Sequence, residues 1–98
     1  MRQGEVWTPP GERFRVVVIS SDNHNQNPGS RPIVVPLVRL HGEPEGMAVR
    51  TGEADHVSGV VLVVYPQHIT TLSGEPDTVL SGQTMSRVAE AVEQLYSY

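Results

Sequence analysis

Arg13-Phe14-Arg15-Val16-Val17-Val18-Ile19-Ser20-Ser21-Asp22 is the stretch from which the rest of the chain is best read. Its four successive β-branched residues, Val16 to Ile19, suit a pleated strand, where branching at Cβ packs well and a helix would restrict it. No polar residue alternates with them, so a strand over Phe14 to Ser20 is expected to be buried on both faces. Ser20-Ser21-Asp22 then offers either a polar strand end that orients a ligand or the start of a turn.

Outward from this strand, short extended runs alternate with Gly, Pro and Asn turns, the pattern of a small antiparallel barrel or sandwich. Glu5 to Trp7 reads as a first strand, closed by Thr8-Pro9-Pro10-Gly11. Asn23 to Ser30 reads as an irregular polar loop, and Pro32 to Leu40 as a third strand. Pro36 within that strand implies an edge position or a bulge, because proline has no N–H for the ladder. Met47 to Thr51, Val57 to Tyr65 and Gln67 to Leu72 continue the sheet, and Ser73 to Asp77 is a loop.

The period then changes. Met85, Val88, Ala89, Val92, Leu95 and Tyr96 recur at spacings of three and four, with Arg87, Glu90, Glu93 and Gln94 opposite them. Thr84 is the expected cap of this helix. The chain is thus expected to be one domain over residues 1–98, mainly β with a C-terminal α-helix, the strands covering about 4–72 and the helix about 84–96.

Composition narrows the function. With no cysteine there is neither a disulfide framework nor a thiolate metal site. The N-terminus does not read as a signal peptide, and the apolar run Val60 to Tyr65 falls far short of the roughly 20 residues of a membrane helix. A cytoplasmic protein that does not enter membranes is expected. The net charge of −4 argues against a uniformly basic, nucleic-acid-binding surface. Yet all seven basic residues are arginine, and Arg2, Arg13, Arg15, Arg31 and Arg39 all precede residue 40, which permits a local positive face.

Several segments carry a family likeness: Arg2-Gln3-Gly4-Glu5-Val6-Trp7, the strand ending Ile19-Ser20-Ser21-Asp22, Ile33-Val34-Val35-Pro36-Leu37, and Pro66-Gln67-His68-Ile69-Thr70-Thr71-Leu72. Together they resemble the MazF/PemK toxins of bacterial toxin–antitoxin pairs. The Phe14 to Asp22 and Ile33 to Leu37 segments look equally like CcdB, a structural cousin. The resemblance implies an SH3-like small barrel, a homodimer and a small cognate antitoxin. In the MazF-like case it implies a growth inhibitor that is a metal-independent endoribonuclease cutting single-stranded RNA, with no cofactor. In the CcdB-like case it implies a non-enzymatic poison of DNA gyrase. A catalytically degenerate relative that only binds is a third reading.

The chemistry of the first case is well defined. Attack by a ribose 2′-OH loads negative charge on a phosphorane-like transition state, which a guanidinium can bridge with two hydrogen bonds. One group must take the 2′-OH proton and another must protonate the leaving 5′-oxygen. The resemblance sets the family's arginine near Phe14, so Arg15 or Arg13 is the candidate catalytic residue. It sets Val38, which lacks a hydroxyl, at the family's threonine position, so Arg39 or His41 becomes a candidate substitute. His41 and His68 are the candidate proton-transfer groups, since an imidazole titrates in the required range. Without any family, Arg15 reads equally well as a strand-edge arginine paired to Glu5 or Glu12, and the four histidines as solvated surface residues. Trp7 reads as core or as a stacking platform for a base. For the gyrase reading, Tyr96 and Tyr98 at the end of the helix are the candidate partner-binding residues. No metal-ligand motif or glycine-rich phosphate loop is present.

Overall fold

The computed structural model describes residues 1–39, 48–63, 65–68, 72 and 74–95. Seven strands form one antiparallel sheet: β1 (Glu5–Trp7), β2 (Arg15–Val18), β3 (Ile33–Val38), β4 (Ala48–Arg50), β5 (Val60–Leu62), β6 (Gln67–His68) and β7 (Thr78–Val79). The order is β4-β5-β3-β2-β1-β7, with β6 also on β3. Among the described residues, the α-helices α1 (Asp22–Gln26) and α2 (Gly82–Leu95) and a 3-10 turn at Glu53–Asp55 complete the fold. The expected β-rich body with a C-terminal helix is what is found. Among the described residues no helix is long and apolar enough to cross a membrane.

The Val16–Val18 run is buried on both faces, as its composition dictates. Val17 joins Val6, Val35, Leu37, Val61 and Val88 in the larger core, while Val16 and Val18 join Trp7 and Val34 in a second one. Period-two alternation sends successive valines to opposite faces. Trp7 is therefore a core residue, 8% exposed, with its Nε1 donating to Glu5 Oε1 at 3.3 Å.

Several expectations need correction, among them the strand over Val57 to Tyr65, which is confined to Val60–Leu62. Pro36 is on neither an edge nor a bulge: β3 lies between β2 on one side and β5 and β6 on the other. Leu37 and Val38 pair with β5, and Ile33 and Val34 with β6, so Pro36 falls where one partner strand gives way to the next. The segment after Ser21 is not wholly irregular. The Ser21 hydroxyl accepts from His24 N–H at 3.2 Å and caps α1. The sheet also extends beyond residue 72, because β7 pairs with β1.

In α2 the cap is Ser81, whose Oγ accepts from Thr84 N–H at 3.2 Å, and not Thr84. The buried seam of α2 is Thr84, Val88 and Ala91, with Met85 and Val92 packed beside it, whereas Ala89 is exposed.

Candidate functional site

Three of the arginines gather at one end of the central strands. Turning from β1 to β2, the chain makes a tight reversal in which Glu12 N–H donates to the Pro9 carbonyl at 3.1 Å. Gly11 takes φ +80°, a left-handed conformation that glycine adopts without a Cβ clash. Arg13 and Phe14 follow as exposed residues before β2 begins at Arg15. The β2–β3 register pairs Arg15 with Leu37 and Val16 with Pro36.

On the other side of β3, Gly59 leads into β5. A Cβ there would stand 2.8 Å from the Val38 carbonyl oxygen and 3.0 Å from Leu37 Cδ1, so only glycine allows this approach. The segment just before it, Val57-Ser58, is thereby drawn to the same strand end. The result is an open cavity of about 380 Å³ lined by Arg13, Phe14, Arg15, Leu37, Val38, Arg39, Val57 and Ser58.

Its electrostatics are one-sided. Three guanidiniums line the cavity and no carboxylate does, among the described residues. Arg15 Nε lies 3.6 Å from Asp77 Oδ2, with both side chains well exposed at 48% and 39%. The ion-pair partner of Arg15 is therefore Asp77, not Glu5 or Glu12. Asp77 is itself held by the Thr8 hydroxyl, which donates to Oδ2 at 2.7 Å. An exposed pair of this kind is worth at most about 1 kcal/mol and can be exchanged for a ligand. Arg13 and Arg39 make no hydrogen bond or ion pair with any described residue. Like charges that share one cavity repel, and a bound anion removes that repulsion.

Of the sequence candidates, then, Arg13, Arg15 and Arg39 come together. His68 does not join them. It lies in β6, opposite Ile33, at the other end of β3 and about 13 Å along the strand from Leu37. His41, Tyr96 and Tyr98 lie outside the described residues. His24 Nε2 sits 2.8 Å from the Arg31 carbonyl, and His56 is an exposed residue at φ 56°. Ser20 and Asp22 serve the fold: the Ser20 hydroxyl bonds Asn25 Oδ1 and accepts from Ile33 N–H, and Asp22 Oδ1 accepts from Gln3 N–H. Among the described residues no group of three or more His, Asp or Glu could hold a metal ion.

Sequence reasoning missed Ser58, the one hydroxyl among the described residues of the cavity lining. The Gly59 that follows it was a signal, since glycine in a strand lead-in marks close backbone approach. It also missed Asp55, which is fully buried and accepts from Gly52 N–H, Ser81 N–H and the Thr84 hydroxyl at 2.6 Å each. Burial pushes the Asp55 carboxyl up, but the hydrogen bonds from Thr84, Ser81 and Gly52 outweigh it and leave it below the ordinary value of 3.8. Its partners lie up to 29 residues away, beyond the reach of any local pattern.

No protein-family model matches the chain, and no curated protein matches it.

Proposed function

We propose that this chain is a MazF/PemK-like toxin that cleaves single-stranded RNA without a metal, held in check by a small antitoxin. The observation that carries the reading is the cleft itself, with Arg13, Arg15 and Arg39 on one cavity whose described lining holds no carboxylate, and with only Arg15 paired, to the exposed Asp77 outside that lining. The likeness of the Arg2 to Trp7 and Ile33 to Leu37 segments to that family supports it. On this reading the fold is an SH3-like barrel variant, the protein is cytoplasmic, and the working form is a homodimer.

The scissile phosphodiester sits among the guanidiniums. Arg15 leaves Asp77 and bridges two phosphoryl oxygens, and Arg13 and Arg39 hold the remaining charge. The 2′-oxygen bonds to phosphorus as it loses its proton, and the bond to the 5′-oxygen breaks as that oxygen gains one. His41, two residues beyond Arg39 in sequence, is the proton-transfer candidate.

The test is incubation of the purified protein with a long single-stranded RNA in EDTA, with the new ends mapped by primer extension. Discrete cuts that disappear in Arg15→Ala are expected. Intact RNA sinks the ribonuclease reading.

One observation favours a second reading. Val38 carries no hydroxyl, and among the described lining only Ser58 offers a group able to exchange a proton near pH 7 by relay. A binding protein needs no such group. On that reading the chain is a CcdB-like gyrase poison acting through α2 and its C-terminal tyrosines, Tyr96 and Tyr98. Loss of growth arrest on removal of residues 96–98, with Arg15→Ala still toxic, would select it.

A further inference from the structure

The described surface exposes four large hydrophobic side chains: Met1, Phe14, Tyr65 and Val79. Only Phe14 lines the arginine cleft. It is the chain's single phenylalanine and is 36% exposed, standing between Arg13 and Arg15 in sequence. Singly exposed apolar residues are ordinary on a protein surface. An aromatic ring beside three guanidiniums is different, because that pairing of a π face with cations matches a nucleotide, one part to the base and one to the phosphate. The cavity volume of about 380 Å³ is near the lower end of ligand pockets, roughly 300–1,000 Å³, and suits one unpaired nucleotide better than a duplex.

We infer that Phe14 is a stacking platform for one unpaired base, placed so that the flanking phosphate reaches Arg13, Arg15 and Arg39. The inference rests on the nucleic-acid reading of the cleft and adds the part of the nucleotide that the arginines do not address. Stacking tolerates any base, since every base has a π face. Phe14 therefore sets affinity and leaves the choice of sequence to other groups.

The experiment uses a short fluorescein-labelled 2′-O-methyl RNA, which cannot be cleaved, and follows its anisotropy with the full chain in EDTA. Phe14→Leu keeps apolar bulk and removes the π face. It is expected to weaken binding roughly tenfold, while Phe14→Trp retains wild-type affinity. The salt dependence of binding is expected to be the same in all three proteins, because no phosphate contact is lost. A probe with abasic sites is expected to bind the wild type as weakly as Phe14→Leu binds the intact probe, with no further loss in the variant. Cleavage of unmodified RNA is measured in parallel. If RNA is cut but Phe14→Leu binds like wild type, the platform is overturned and the ribonuclease reading stands. If nothing is cut but Phe14→Leu binds weakly, the platform stands and the ribonuclease reading falls. If the wild type does not bind the probe at all, the platform is overturned, and if RNA also stays intact the ribonuclease reading falls with it.

Discussion

Asp55 and the arginine cleft handle charge in opposite ways. The Asp55 carboxylate is buried and accepts from three donors at 2.6 Å, joining the Gly52–Asp55 turn to the start of α2. Arg13 and Arg39 are exposed, line the same cavity, and are unpaired among described residues. A charge that serves the fold is satisfied by the fold, because an unpaired buried ion is strongly unfavourable. A charge left unmatched beside a cavity is available to something outside the chain. The contrast separates an acidic residue that the fold satisfies from basic residues that the described part of the fold leaves unpaired beside a cavity.

Substitutions at three places, Asp55, Gly59 and the cleft arginines, break or sharpen this contrast. The largest effect is expected at Asp55. Asp55→Ala leaves the Gly52 and Ser81 N–H groups and the Thr84 hydroxyl without their acceptor, a loss of about 3 kcal/mol or more in urea unfolding. The same site should respond to acid. Its folded carboxyl titrates below 3.8, so its contribution is fully present above that value and is lost as pH falls toward the folded pKa. The stability gap between wild type and Asp55→Asn should accordingly be constant near neutrality and shrink below about pH 4. A gap that does not change with pH would mean that the charge is not what matters there.

A smaller effect, about 1–3 kcal/mol, is expected for Gly59→Ala, because the new methyl group meets the Val38 carbonyl at 2.8 Å and must push β3 and β5 apart. Displacing β5 also moves Ser58 away from the arginines, so nucleic-acid binding should weaken along with stability. Unchanged Tm in Gly59→Ala would show that the strands part easily there. The smallest effect on stability is expected in the cleft. Arg13→Ala and Arg39→Ala should unfold within about 0.5 kcal/mol of wild type. Each should nevertheless lower the slope of log K against log salt by about 1 for an oligonucleotide. A large stability loss in either would make these arginines structural, as Asp55 is.

Much of the fold was legible because it rests on local chemistry. The Val16–Val18 run announced a doubly buried strand, and the three-and-four spacing of Met85, Val88 and Val92 announced α2. The misreadings came where a partner distant in sequence overrode a local preference. Thr84 has the chemistry of a cap, but Asp55 takes its hydroxyl into the interior and Ser81 caps instead. Pro36 has the chemistry of an edge, but a change of partner strand lets it sit in the middle of the sheet.

By itself the sequence settled the residue types: a β-rich body, a terminal helix, and arginine as the only basic side chain, crowded into the first half. Hydrophobic period and backbone preference are short-range properties, and a reader of the chain has them in full. Only the tertiary structure decided that Arg13, Arg15 and Arg39 share one cavity with Phe14 and Ser58, and that His68 lies at the other end of β3. Those neighbours are set by strand register and by the close passage of Gly59 past Val38. Register is a long-range quantity, and a shift of one residue would send every side chain of the strand to the opposite face.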